Sequence, residues 1–286
     1  MKLAAAPISW GVCEVPDWGL QLAPDRVLAD MRALGVHATE AGPPGFLPAD
    51  PAAARALLDS CGLRLVGGFV TAVLHEKARR ADEFASVKRQ AEWLAAGGAE
   101  LVVLAPALPQ TGYSGAAEIP DAAWPALFEG IDRVAEIADS SGLGVAVHPH
   151  WGTAIERPRH IERFLKETAH ALCLDTGHIA LGGADPLKVA RDAGPRVRHV
   201  HLKDVDGARA ARVRDGSVSY NDAVRAGLFR PLGDGAARVE DVLGELRRAG
   251  YAGWYVLEQD VMLEREPAPG PPEWVTRSAA YARKHG

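Results

Sequence analysis

The sequence predicts an α/β fold, a single (β/α)8 TIM barrel spanning residues 1–286 as one domain. Three observations carry that expectation. Short apolar runs alternate with helix-periodic segments through the chain, eight of each. A glycine that ends a helix and leads at once into an apolar run recurs at Gly35, Gly62, Gly142 and Gly250. Polar residues able to do chemistry follow the apolar runs, where the C-terminal ends of barrel strands would stand.

In chain order, strands are expected at 3–9, 36–40, 63–70, 100–105, 143–148, 171–174, 197–202 and 253–258. Helices are expected at 24–34, 51–61, 76–96, 122–141, 157–168, 186–193, 239–249 and 272–284. Asp50, Asp121 and Asp185 stand where N-caps belong, and Pro51 and Pro186 at first helical positions. Loops rich in Gly and Pro follow the first, second and fourth strands, at 10–22, 42–48 and 106–120, and a long active-site loop is expected at 205–237. An open doubly wound sheet is the competing fold. Its dinucleotide loop is missing, because Trp10-Gly11-Val12-Cys13-Glu14 lacks G-x-G-x-x-G and no G-x-x-x-x-G-K-[ST] occurs.

Composition limits the function. The chain is 48% hydrophobic and 24% charged, with a net charge of -5 and a pI of about 6.1. No basic face recommends nucleic acid, and the Arg cluster at 209–214 reads as a solvated loop. No run of 18 apolar residues and no leader-like start is present, so no membrane span is expected. Cys13, Cys61 and Cys173 lie far apart with no C-x-x-C, which fits a reducing, cytoplasmic compartment. The expected partner is a small molecule, and a homo-oligomer is compatible with this composition.

Segment 171–204 is the centre of the chain. It holds two apolar runs, and each ends in groups that ligate metals: Asp175 and His178, then His199, His201, Lys203 and Asp204. The spacing in His199-Val200-His201 puts both imidazoles on one face of a strand. Seven of the ten histidines lie at or near strand ends: His37, His75, His148, His150, His178, His199 and His201. A lone histidine there would be a structural hydrogen-bonding group. A cluster with carboxylates drawn from separate strands suits a divalent cation.

The pair Asp175-Thr-Gly-His178 and His199-Val-His-Leu-Lys-Asp204 resembles the sugar isomerase/epimerase superfamily with xylose-isomerase-like barrels. The resemblance covers the whole chain. It implies one divalent metal, Mn²⁺ or Co²⁺ first and then Mg²⁺ or Zn²⁺, held by one residue from each of the last four strands. Carried over by motif, these are His148, Asp175, His201 and Glu258. The resemblance also makes His178 a substrate-side histidine, so the expected catalytic set is Glu258, His178 and Lys203. Glu40, Trp10, His150, Trp151 and His199 are the expected substrate contacts, with the tryptophans walling the apolar face of a sugar ring.

One position departs from the superfamily's isomerases and epimerases. They usually carry glutamate at the end of the fifth strand, where this chain has His148 in a His148-Pro-His150-Trp-Gly-Thr153 run. Inosose dehydratases are similar here, and in Ile8-Ser-Trp-Gly11, in 39–46 and in the loop run 227–235, which has little evident structural necessity. The expected substrate is therefore a polyol or keto-sugar such as an inosose. The expected reaction is loss of water through an enolate. The alternatives are a sugar or cyclitol isomerase/epimerase on the same metal and a catalytically silent barrel acting as a binding subunit. Intact ligand positions argue against the latter.

Overall fold

A computed structural model describes residues 1–110, 113 and 118–286. Eight parallel strands close a barrel: β1 (Lys2–Ala5), β2 (Ala38–Glu40), β3 (Arg64–Ala72), β4 (Leu101–Pro106), β5 (Gly144–Val147), β6 (Ala171–Asp175), β7 (Val197–Leu202) and β10 (Trp254–Leu257). Between the last two lies a small antiparallel pair, β8 (Asp204–Val205) and β9 (Phe229–Arg230). β1 pairs in parallel with both β2 and β10, which shuts the barrel. Ser9 fastens that seam. Its hydroxyl donates to Leu257 O at 3.3 Å and accepts from Gln259 N at 3.0 Å.

Small side chains fill the barrel's lower interior: Ala4, Ala38, Val66 and Val256, with Val103, Ala146 and Cys173 beside them. Their small size leaves room above for long polar side chains. The main core lies between sheet and helices, where Leu28, Met31, Leu127, Ile131 and Phe164 are buried. Each such side chain contributes about 1.5–3 kcal/mol on burial. The glycines at 35, 62, 142 and 250 all have φ between 67° and 76°, a left-handed turn that other residues reach at a cost.

Several expectations need correction. The first strand ends at Ala5, because Pro7 has no N–H for the ladder and starts a 3₁₀ turn, Pro7–Trp10. Asp121 caps nothing; it lies within a 3₁₀ turn and pairs with Arg163 at 2.8 Å. Asp185 does cap its helix, accepting from Leu187 N. A helix absent from the expectation, Thr176–Gly182, starts directly at the end of β6, and Asp175 is its N-cap. The connection 205–237 is not a featureless loop. It contains helices Gly207–Arg214 and Tyr220–Arg225 and strand β9, so the basic cluster lies on a helix. The expected loop 106–120 falls partly outside the described residues. Among the described residues, no helix is long and apolar enough to cross a membrane.

Asp204 explains how the connection returns to the barrel. Its carboxylate accepts from the amides of Gly233, Gly235 and Ala237 at 2.9–3.0 Å. A β-carbon at Gly235 would collide with that carboxylate. The run 227–235 therefore has a structural necessity that its sequence alone did not show. The carboxylate clasps it, and the clasp lays Phe229 beside the strand ends.

Candidate active site

Alternation along the strands decides which side chains enter the barrel mouth. On β7, His199 and His201 point inward one above the other, and Lys203 follows two residues on. On β6 the inward pair is Cys173 and Asp175, in register with His199 and His201. His148 and His150 continue β5, and Glu258 and Asp260 continue β10. Glu40 closes β2 from across the barrel. All these residues are buried apart from Glu258, which is partly open.

Four of them are linked by short contacts. His148 Nε2 stands 3.3 Å from Asp175 Oδ2. His201 Nδ1 stands 3.5 Å from the same oxygen and 2.9 Å from Glu258 Oε2. Donor atoms held about 2.1 Å from one tetrahedral cation stand ~3.4 Å apart, so this spacing fits a shared ion. A second observation supports the fit. Among the described residues, His201 Nδ1 is buried and has no well-directed hydrogen-bond partner, although two carboxylates stand beside it. A lone pair facing two carboxylate oxygens is repulsive unless a cation or a proton lies between them. His148, Asp175, His201 and Glu258 could hold a divalent metal.

A buried ammonium stands beside this cluster. Lys203 Nζ lies 2.5 Å from Glu258 Oε1, 2.7 Å from Asp260 Oδ1 and 3.6 Å from Asp175 Oδ2. It also donates to His178 Nε2 at 3.0 Å. Gly177 makes room for its stem, since a β-carbon there would collide with Lys203 Cγ. Phe229 covers the ammonium at 4.9 Å. Asp260 also accepts from Tyr220 Oη at 2.7 Å. Lys203 makes no pair with Asp204, whose carboxylate is taken up by the 231–237 turn.

Charge and burial sort the proton carriers. Burial pushes the Glu258 carboxyl up, but His201 and Lys203 outweigh it and hold it at about 2. Glu40 and Asp175 are likewise held well below the carboxylate range against their burial, Glu40 by His201 and His199 and Asp175 first by Lys203. Asp260 goes the other way, because burial and the Glu258 charge raise it despite Lys203. Burial pulls His148, His150 and His178 below the histidine range, helped at His150 by His148 and at His178 by His150. Burial also opposes a charge on His201, but Cys173, Glu258 and Glu40 hold it well above. The Cys173 thiol is itself pushed up to about 11, so at neutral pH the carboxylates supply that stabilisation.

A cavity of about 530 Å³ opens above the cluster. Glu40, His150, Glu258 and Asp260 line it together with Pro43 and Phe69. His150 is fixed by donating from Nδ1 to Trp151 O at 2.7 Å, and it packs on His178 with ring centroids 3.7 Å apart.

Not every expected contact lies here. Trp10 is buried in the helical layer with its indole N–H on Asp30, and it is not among the cavity-lining residues. The Trp151 ring lies under the Arg157 guanidinium at 4.8 Å, away from the lining; only its backbone serves His150. His199 is fully buried against Glu40, one step below the mouth. His37 is exposed ahead of β2, at the opposite end of the barrel, and His75 stands 3.9 Å from Glu76. Glu156 is engaged by Gly152 N and Arg157. Sequence reasoning gave no role to Tyr220, Phe229 or Tyr113, and placed Asp260 at a strand end without a role. Asp260 was findable from its spacing of two after Glu258. Tyr220 and Phe229 carry no such signal, since the return of their connection depends on the Asp204 clasp.

Residues 28–285 match the family described as xylose isomerase-like TIM barrel. The chain belongs to that family. It is 31% identical to an inosose dehydratase of Geobacillus thermodenitrificans, over 99% of this chain and 97% of that one. Its fold is similar to that of the probable 3-DHS dehydratase AsbF from Bacillus anthracis, with TM-score 0.72, 14% identity and 100% of both chains covered. It is also similar in fold to 3-keto-D-glucoside 4-epimerase YcjR from E. coli, with TM-score 0.67, 15% identity and 99% of both chains covered. The enzymes of this family set the frame for reading the cluster at the barrel mouth.

Proposed function

We propose that the chain is a metal-dependent carbon–oxygen lyase that removes water from a polyhydroxy ketone such as an inosose. The observation that supports this most is His148, beside Asp175 at the end of β5. It replaces the strand-end glutamate that two-sided epimerisation would use. The dehydratase name of the 31% identical relative supports the same reading.

In this reading His148, Asp175, His201 and Glu258 hold Mn²⁺ or Co²⁺, with Mg²⁺ or Zn²⁺ also compatible with the donor set. Bound there, the ion would supply Lewis acidity toward a ketone oxygen. The chain's own groups do the proton work. Glu258 and the neutral His150 line the cavity as proton acceptors, and one of them takes the proton α to the ketone, while His178 Nε2 is held by Lys203. The C–H electrons pass into the enolate, whose oxygen the Lys203 ammonium stabilises. The enolate then expels the β-hydroxyl, and Asp260, raised by burial, gives the proton with which it leaves as water.

A second reading, an isomerase or epimerase on the same ion, has support in the fold likeness to an epimerase. It calls for acid and base on opposite faces of the substrate. Glu258 and Asp260 are bridged by one Lys203 ammonium, so they act from one side. The test is a panel of inososes, ketoses and related cyclic ketones incubated with Mn²⁺- or Co²⁺-loaded protein. Growth of conjugated-enone absorbance with loss of one water is expected. Change of stereochemistry without loss of water would overturn the dehydratase reading.

A further inference from the structure

The expected role of Glu40 and His199 was contact with substrate. Their geometry points elsewhere. Glu40 Oε1 stands 2.8 Å from His199 Nε2 and 2.9 Å from His201 Nε2. One carboxylate oxygen thus receives both imidazoles, from the far side of the barrel. A carboxylate oxygen only accepts, so both Nε2 atoms carry hydrogen and donate to it. In the neutral imidazole that hydrogen leaves Nδ1 bare. His201 Nδ1 is the atom that faces Asp175 and Glu258 without a well-directed hydrogen bond.

We infer that Glu40 and His199 are positioning residues that fix which nitrogen of His201 faces the cation cluster. Glu40 selects the His201 tautomer and raises the basicity of its inner nitrogen, as carboxylates behind metal-bound histidines do. His199 stands one strand step below, fully buried among small side chains, and holds the Glu40 carboxylate in place. Without His199, that carboxylate would have a single neutral donor and room to turn toward the cavity it lines. The three side chains form a line across the barrel, His199 to Glu40 to His201, ending at the cluster.

This inference rests on the reading of the cluster as a cation site, and not on which reaction follows. The experiment measures divalent-cation affinity by chelator competition with Co²⁺, together with the Co²⁺ absorption spectrum, for the wild type, Glu40→Gln, Glu40→Ala and His199→Gln. The expected result is a 10–100-fold weaker Co²⁺ affinity for Glu40→Ala, with a shifted ligand-field spectrum. Glu40→Gln keeps an acceptor oxygen, so a smaller loss is expected there, and His199→Gln should fall between. At saturating Co²⁺, kcat should fall while KM for the ketone stays within about twofold. A raised KM with Co²⁺ affinity and spectrum unchanged would return Glu40 to substrate contact and overturn the inference alone. A wild-type protein that binds no divalent cation would overturn it together with the cluster reading. If Glu40→Ala does not fold, the Glu40→Gln and His199→Gln affinities decide the matter in the same way.

Discussion

Lys203 Nζ stands 2.5 Å from Glu258 Oε1 with the lysine entirely shielded from solvent, so the two ionise as one unit. The same ammonium serves Asp260 and Asp175. Replacing Lys203 by Met keeps the bulk but leaves buried carboxylates uncompensated. Breaking such a pair from one side costs about 3–5 kcal/mol. Urea denaturation of metal-free Lys203→Met should show that loss, and activity should fall by ~10²–10³ as the oxyanion donor disappears. Wild-type stability in this variant would contradict the burial argument.

The four-residue cluster and His178 should separate in a metal titration. His201→Ala and Glu258→Ala each remove a donor atom, so activity should vanish and cation affinity weaken. His178 pairs with Lys203 and its backbone amide donates to Asp175, while its ring nitrogen lies within 4.8 Å of Asp175 and Glu258 carboxylate oxygens. His178→Ala should therefore lower activity about 10–100-fold with the ion retained. Loss of the ion from the His178 variant alone would move His178 into the ligand set.

His148 divides lyase from epimerase. In the proposed reading, a donor set of two histidines and two carboxylates would carry a formal charge of about -2 and leave a bound ion more of its Lewis acidity. His148→Glu should slow water loss and tighten cation binding, and NMR should show epimerisation of the same ketone as the gain. Unchanged dehydration and unchanged affinity would take His148 out of the cluster's function.

Acid should destabilise the metal-free protein earlier than carboxylates alone would. His148, His150 and His178 are held below the histidine range in the fold, while His201 is held above it. Below about pH 6.5 the unfolded chain takes up protons on His148, His150 and His178 that the fold resists, so stability falls as pH drops. Above that pH the sign reverses, and stability declines as pH rises toward the folded His201 value. Thermal melts of apo protein from pH 5 to 9 should show a maximum near 6.5. A flat profile would refute the shifts.

Gly177 should tolerate no side chain. Its missing β-carbon is the space through which the Lys203 stem passes. Gly177→Ala should cost about 1–3 kcal/mol by overpacking, and it should lower activity more than stability by tilting the ammonium off Glu258. A melting temperature and kcat both equal to wild type would show that the stem has room to move.

The barrel was legible because it follows from periodicity, whereas the set His148, Asp175, His201 and Glu258 was expected from the resemblance, and the structure puts short contacts among its members. Alternation by two fixes which residues enter the mouth once the strands are placed. It carries His199 and His201 inward together, and by the same rule Glu258 and Asp260. The pattern was silent where side-chain direction is set by distant parts of the chain. Trp10 follows a strand yet turns to Asp30, because Pro7 ends the ladder and a 3₁₀ turn redirects it. Tyr220 and Phe229 reach the site only because Asp204 binds three amides 29–33 residues further on. Such a clasp is a hydrogen-bond arrangement with no period to read.

The Ser9 seam has a consequence for the order in which the enzyme comes into being. Its two partners, Leu257 and Gln259, lie 248 and 250 residues later in the chain. During synthesis β1 appears first and waits for nearly the whole polypeptide before its second neighbour exists. Until then the sheet has two bare edges, on β1 and β7, the arrangement that invites pairing with other chains. The strand that seals those edges also delivers Glu258 and Asp260. A ribosome that stops short of β10 therefore leaves an open, adhesive sheet that lacks Glu258 and Asp260.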